Sequence, residues 1–207
     1  MRPARKTTTR AMERSARKPS KRSAPVAAAG SGSPTPAATV AHVLLVGDEN
    51  VGITSIMERQ AFDHKAEGDW GLGIESYEEN VRIDGRAVRL LLFEIAAPTA
   101  FEPLKKDFHA RPTSVVLVYD ASQRKTLEYA LSAYEKLRSS LGATPLVLCA
   151  NKVDVTPRTI GPIEGTRIAT SLGGAYVETS VVERRNIETL LHVAGAVALG
   201  KPPVNVR

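Results

Sequence analysis

Cysteine is nearly missing from this 207-residue chain. Cys149 stands alone, so no disulfide can close within the chain, and a reducing compartment is the simplest setting. It lies in "PLVLCAN", where it reads as a small buried hydrophobe and not as a reactive thiol. Long apolar runs are missing as well: nothing approaches the roughly 18–20 residues needed to cross a membrane. The N-terminus is too charged and too poor in apolar side chains for a secretory signal. Residues 1–25 contain no Leu, Ile or Phe, and residues 1–39 contain no aromatic side chain. The four histidines, His42, His64, His109 and His192, are scattered without metal-ligand spacing, which favours structural or solvent-facing roles.

The formal charge of +6 is uneven. Residues 1–39 carry nine basic side chains and one acid, Glu13, for a net +8, while the other 19 basic and 21 acidic residues sum to −2. Residues 26–39, "VAAAGSGSPTPAAT", are a small-residue linker. Neither part of 1–39 has the apolar surface to offset its ordering entropy, so it reads as a disordered basic extension and linker. Such an arm suits solubility or an anionic partner: nucleic acid, an acidic protein tail or a membrane surface. Its Arg and Ser content also matches a mitochondrial transit peptide, though the apolar face such a peptide needs is nearly absent. Without aromatics the arm cannot stack on bases, which argues against sequence readout.

From Val40 the texture changes, and 43% hydrophobic residues suffice for one well-formed core. The runs "VAHVLLVG", "AVRLLLFEIA", "SVVLVYD", "PLVLCAN" and "AYVETS" read as strands buried on both faces, and the alternating "SYEENVRID" as an edge strand. Between them lie helices. One begins near Ser122, carries Leu127, Leu131, Tyr134, Leu137 and Leu141 on one face, and stops at Gly142. "EGTRIATSLGG" and "NIETLLHVAGAVALG" are two more, the second with Asn186 in position to cap it. Strands and helices alternating at this pitch predict a mostly parallel sheet covered on both sides. In such sheets ligands sit beyond the carboxyl ends of the strands, so the loops there should hold the chemistry.

The first loop, "GDENVGIT", has the layout of a phosphate-binding loop. Gly47 and Gly52 would let backbone N–H groups and a helix N-terminus approach phosphate oxygens. Thr54 holds the place of a hydroxyl that ligates Mg²⁺, with Ser55 behind it. The position that calls for a lysine is Ile53. Two charge-assisted bonds of about 1.5–3 kcal/mol each are thereby missing, a loss of roughly 10² to 10⁴ in phosphate affinity. The fifth main strand ends in "NKVD". There the Asp154 carboxylate can accept both N–H donors on guanine's Watson–Crick edge, the Lys152 stem can lie over the purine, and Asn151 can steady neighbouring loops. "ETS", Glu178 to Ser180, ends the next strand near the same base.

Ordered and spaced in this way, "VYD", "NKVD" and "EGTRIATSLGGAYVETS" resemble the Ras superfamily of small GTPases, and its Rab branch best, over about Val40 to Gly200. The resemblance implies an α/β P-loop small-GTPase fold over 40–201, a six-stranded mostly parallel sheet with helices on both faces, followed by a short tail, 202–207. It implies GTP or GDP with Mg²⁺, two switch segments, and protein effectors or complex subunits that read them. The nucleotide-binding set is then Gly47, Asn50, Gly52, Ile53, Thr54 and Ser55, with Asn151, Lys152, Asp154, Ser180 and Val181. Thr54 and Glu94 are the metal candidates. Trp70, Gly71, Ala97, Pro98 and Phe101 make up the switch and partner surface.

The chain departs from the family at the γ-phosphate end. Gly71 stands where the family has a Mg²⁺-ligating threonine, although Gly73 matches. "EIAAP" replaces Asp-x-x-Gly-Gln with Glu94, Ala97 and Pro98. Glu94 is one methylene longer than aspartate and can still reach Mg²⁺ through water. Pro98 biases Ala97 towards extended geometry and cannot orient an attacking water. After "ETS", Val181-Val182 replace an Ala-Lys pair. The base side survives, the phosphate side does not. The expectation is a weak guanine-nucleotide binder without hydrolysis, a scaffold or adaptor in vesicular or intraflagellar transport. A divergent GTPase that borrows a cation, with Lys105 and Lys106 nearest, and a basic-arm binder of nucleic acid or another anionic surface are the alternatives. "GKPPVNVR" has no cysteine for a prenyl anchor and Met1-Arg2 excludes myristoylation, so any membrane attachment would use the basic arm or a partner. The setting expected is cytoplasmic, at a cilium, flagellum or endomembrane surface, with the mitochondrion a weaker candidate.

Overall fold

A computed structural model describes residues 39–60, 76–94 and 112–207. Among the described residues seven strands form a single sheet. They are β1 (Thr39–Gly47), β2 (Ser76–Ile83), β3 (Arg86–Glu94), β4 (Ser114–Asp120), β5 (Leu146–Asn151), β6 (Ala175–Glu178) and β7 (Asn205–Val206). Among the described residues four helices accompany them: α1 (Ile53–Gln60), α2 (Arg124–Leu141), α3 (Pro162–Ser171) and α4 (Ile187–Ala198). The strand order is β2-β3-β1-β4-β5-β6-β7, and only the β2–β3 pair is antiparallel.

Alternation along the central strands sorts the core into two layers. Val43 and Leu45 of β1, Val116 and Val118 of β4 and Cys149 of β5 point to one face, where Ile56 and Met57 of α1 and Leu190, Leu191 and Ala194 of α4 cover them. Leu44, Leu117, Tyr119, Leu148 and Tyr176 point to the other, under Leu127, Ala130, Ala133 and Leu137 of α2 and Ala169 of α3. Because side chains alternate at period two, strands covered on both faces are apolar along their length, and all seven residues of β4 are buried, with polar side chains at its two ends, Ser114 and Asp120. The edge strand β2, expected to alternate, does so from Asn80 to Ile83, whereas Ser76 and Tyr77 at its start are both buried.

Sequence and structure differ in three further places. The expected sheet has six strands; Asn205 and Val206, in the tail expected at 202–207, add a seventh, pairing in parallel with Tyr176 and Val177. Asn205 also accepts the Tyr176 N–H through Oδ1 at 3.0 Å, so a side chain completes what two residues of backbone begin. Asn186 does occupy the position before α4, but its side chain makes no cap hydrogen bond. With φ at 56°, Asn186 is left-handed, and its Nδ2 donates instead to Glu178 O at 2.9 Å. The helix that sequence periodicity starts near Ser122 begins at Arg124 and ends against Gly142, whose N–H meets Arg138 O.

Strand order reverses at β1, which lies between β3 and β4. Parallel sheets open a crevice at such a point, beyond the carboxyl ends of the strands. Gly47, Asp120, Asn151 and Glu178 are those ends.

Helix α3 approaches β6 closely: a Cβ on Gly165 would lie 2.4 Å from Cε2 of the fully buried Tyr176 ring. That ring cannot swing freely, because its hydroxyl donates to Glu178 Oε1 at 3.1 Å. Gly165→Ala should therefore lower stability by about 1–3 kcal/mol despite alanine's better helix propensity. Urea denaturation of the full chain measures it; an unchanged or higher midpoint would mean the Tyr176 ring can yield.

Candidate nucleotide site

The loop after β1 is bent by two close approaches. A Cβ on Gly47 would stand 2.6 Å from Val118 O, so the chain leaves the sheet pressed against β4. Gly52 has φ 96°, and a Cβ there would meet Asn151 Nδ2 at 2.6 Å. Asn50, also left-handed at φ 62°, takes the turn before it. Helix α1 then starts with Gly52 O accepting the Ile56 N–H at 2.9 Å.

Ile53 is only 3% exposed and packs in the core under the loop. Its Cδ1 lies 3.0 Å from where a Gly47 Cβ would be. Thr54 and Ser55 face solvent on the first turn. Thr54 Oγ1 donates to Glu94 Oε2 at 3.4 Å, a long bond that nonetheless brings the two metal candidates side by side. On the loop itself the Glu49 N–H is taken by Asp48 Oδ1 at 2.9 Å.

Asn151, at the end of β5 and 1% exposed, ties three loops together. Its Nδ2 donates to Val51 O at 2.8 Å in the loop after β1, and its Oδ1 accepts from Thr179 Oγ1 at 3.0 Å after β6. The steadying role expected of Asn151 is visible in those two bonds. Lys152 is left-handed at φ 59°, a conformation that costs a non-glycine residue about 1–3 kcal/mol. Its ammonium holds it there, donating to Asn50 O at 2.6 Å and pairing with Asp120 Oδ2 at 3.0 Å.

Asp120 is 2% exposed and gathers more donors. Ser122 N (2.9 Å), Ser122 Oγ (2.6 Å) and Gln123 Nε2 (2.9 Å) all donate to its carboxylate. Burial pushes the Asp120 pKa up, but the bonds from Ser122, Lys152 and Gln123 outweigh it and hold the carboxyl below its ordinary range. Half-buried Asp154 accepts from Ser180 Oγ at 2.5 Å, and Ser180 Oγ in turn accepts the Glu183 N–H at 3.0 Å. Each carboxylate oxygen has two acceptor sites, so Asp154 keeps capacity for two further N–H donors. Val181 is partly buried against the core beside it.

Behind this mouth, Arg158 donates from Nη2 to Val153 O at 2.6 Å and from Nη1 to buried Glu178 at 3.2 Å, joining the loop after β5 to the end of β6. Cys149 is fully buried with Sγ 3.2 Å from Thr179 Oγ1, and burial pushes its thiol pKa up to about 12, in keeping with an inert side chain.

The structure thus brings together Gly47, Asn50, Gly52, Asn151, Lys152, Asp154 and Ser180, and leaves Ile53 turned away from the mouth. Sequence reading missed Asp120, Thr179 and Arg158 as parts of the site. "VYD" and "ETS" contain the first two, but their work lies in contacts that cross between loops. Trp70, Gly71, Gly73, Ala97, Pro98, Phe101, Lys105 and Lys106 lie outside the described residues, as do His64, His109 and the extension up to residue 38. The residues present fit a guanine base at Asp154. They fit Mg²⁺ in part, through Thr54 and Glu94. They do not fit a phosphate chain in the usual way, because Ile53 offers it no cation.

Comparison with known proteins agrees with this geometry. The sequence profile of the Ras family matches residues 42–198. The Ras and EF-hand domain-containing protein homolog of Caenorhabditis elegans is 28% identical over 163 residues, 75% of this chain and 25% of that protein. Ras-related protein RABA2d of Arabidopsis thaliana is 25% identical over 149 residues, 70% of this chain and 69% of its own length. Ras-related protein Rab-42 of Mus musculus is 27% identical over 156 residues, 71% of this chain and 72% of its own. The chain therefore spans about a quarter of the length of its Ras and EF-hand relative and about 70% of the two Ras-related proteins.

The Asp120 carboxylate gives the site a pH signature. A depressed folded pKa contributes stability above the ordinary carboxyl value of 3.8, and that stability is lost as pH falls through the folded value. Asp120→Asn should be about 1–3 kcal/mol less stable than wild type at pH 7, since it leaves Lys152 short of its partner. The gap should hold down to about pH 5 and close below pH 3.8. Denaturant melts of both chains across that range test it; a gap independent of pH would remove the charge from the explanation.

Proposed function

This chain belongs to the Ras family, and from that premise we propose that it is a Rab-like G domain that holds guanine nucleotide weakly, does not hydrolyse GTP, and acts as a scaffold or adaptor in intracellular transport. The family binds guanine nucleotide, usually with Mg²⁺, and its members engage effector proteins. One observation carries the proposal: the base-side constellation of Asn151, Lys152, Asp154 and Ser180 is fully assembled by the protein's own bonds, while Ile53 is buried beneath the phosphate loop.

Hydrolysis requires positive charge over the transferred phosphoryl group and a residue that orients water. Ile53 and Pro98 supply neither. A scaffold requires instead that the domain stay folded whatever its ligand state. Asn151 to Val51 and Lys152 to Asn50 hold the phosphate loop without help from a nucleotide. Vesicular or intraflagellar transport, a cytoplasmic setting and an anionic partner for the basic extension belong to the same proposal, supported by the Rab-like sequence and by the +8 charge of residues 1–39. A second reading, a divergent switch, draws support from the neighbouring Thr54 and Glu94 oxygens, which suit a divalent cation.

Asp154 provides the test. An asparagine there offers one donor and one acceptor in place of two acceptors, which suits xanthine better than guanine. Wild-type full chain should bind guanine over adenine and xanthine compounds, and Asp154→Asn should reverse the guanine–xanthine order by tenfold or more. GTP incubated with the chain should release no phosphate above the blank. No guanine preference in wild type sinks the binding reading; steady Mg²⁺-dependent phosphate release favours the switch.

A further inference from the structure

We infer that this pocket recognises the guanosine end of its ligand and is indifferent to phosphate number, so that GMP binds as tightly as GDP or GTP. The inference rests on the guanine-binding reading above and goes beyond it by naming the part of the ligand that is read.

The argument is a count of charges at the mouth. A di- or triphosphate adds negative charge with each phosphoryl group, and holding it requires cations or free N–H donors. The lysine position of the loop is Ile53, and its side chain is in the core. Among the described residues, the ammonium that reaches this loop is Lys152, already shared between the Asp120 carboxylate at 3.0 Å and Asn50 O at 2.6 Å. Around them stand carboxylates: Asp48 and Glu49 on the loop itself, and Glu94 against Thr54 at 3.4 Å. The Glu49 amide is occupied by Asp48. Among the described residues, what remains for phosphate is the other loop amides, the start of α1 and the partial cation site at Thr54 and Glu94, a weak, salt-screened attraction set against repulsion from the same loop.

Binding to the base has no such conflict. Asp154 is oriented by Ser180, and Lys152 is fixed beside it at the cost of a left-handed backbone. Energy invested in positioning these groups is recovered from the base, the part common to every guanine nucleotide.

The test is a competition series on the full chain with guanosine, GMP, GDP, GTP and AMP, each with and without Mg²⁺. Expected are dissociation constants for GMP, GDP and GTP within about threefold of one another, and AMP at least tenfold weaker. GDP or GTP more than tenfold tighter than GMP overturns the inference and leaves the guanine reading intact. Failure of every guanine compound, or AMP equal to GMP, overturns the guanine reading and the inference with it. Two variants place the cause. Ile53→Lys should tighten GDP and GTP at least tenfold with GMP unchanged. Because position 53 is buried and a lysine there must desolvate its charge or leave the core, Glu49→Lys makes the same test at an exposed position. Selective tightening in either supports the inference; no selectivity in a folded Glu49→Lys chain overturns it, because the loop would then not lie under the phosphates.

Discussion

The arrangement at the head of the sheet depends on one buried amide. Asn151 is a donor to the loop after β1 and an acceptor for the loop after β6, while its own backbone closes β5. An amide is the side chain that can do both at once: a carboxylate could not donate to Val51 O, and a hydroxyl could not span the distance. The loops it joins are far apart in sequence. Their relative positions are therefore set by two hydrogen bonds in a low-dielectric setting, where each is strengthened and where losing either leaves a buried group unsatisfied. Gly52 follows from the same constraint, since any side chain there would occupy the place of the Asn151 nitrogen.

Lys152 and Asp120 extend that constraint by charge. A left-handed lysine is strained, and a nearly buried carboxylate is costly unless donors surround it. Each resolves the other's difficulty: the ammonium neutralises Asp120, and Asp120 with Asn50 O fixes the ammonium where the backbone strain requires. Ser122 and Gln123 complete the donor set, so the turn into α2 is bound to the same carboxylate. The lysine acts here as a structural cation between loops, and its charge is not free for a ligand's phosphates.

Much of the fold is legible from the sequence because its signals are local. Unbroken apolar runs mark β1, β3, β4, β5 and β6, alternation marks β2, and a period of 3.6 with Gly142 behind it marks α2. The strand β7 is not legible: two residues after two prolines have no periodicity, and their pairing depends on the exposed edge of β6. Asn186 looks like a helix cap by type and place, yet its left-handed backbone turns the side chain towards Glu178 O. The site divides in the same way. Asn151, Lys152, Asp154 and Ser180 are found by spacing, because each stands at a fixed offset from a strand end. Asp120, Thr179 and Arg158 act across loops, and nothing in their local sequence announces that.

Ile53 shows why the two halves of the site have separate physical fates. A lysine at that position contributes through its contact with phosphate and little to the folded core. An isoleucine contributes the reverse: burying such a side chain stabilises by about 1.5–3 kcal/mol, and here it packs with Val51 under the bend that Gly47 makes against Val118. The loop is consequently held from below by apolar contact and from the side by Asn151 and Lys152, with no requirement for an anion above it. The base side has no comparable substitution available to it. Its polar groups are the very groups that tie the loops together, so removing them would disturb the head of the sheet whether or not any ligand binds. The loop position at Ile53 can be exchanged for core packing by one residue, whereas Asn151, Lys152 and Asp154 are held in place by the fold itself. Their presence at the head of the sheet therefore answers a demand of folding in its own right, met by the bonds from Asn151 to Val51 O and from Lys152 to Asn50 O.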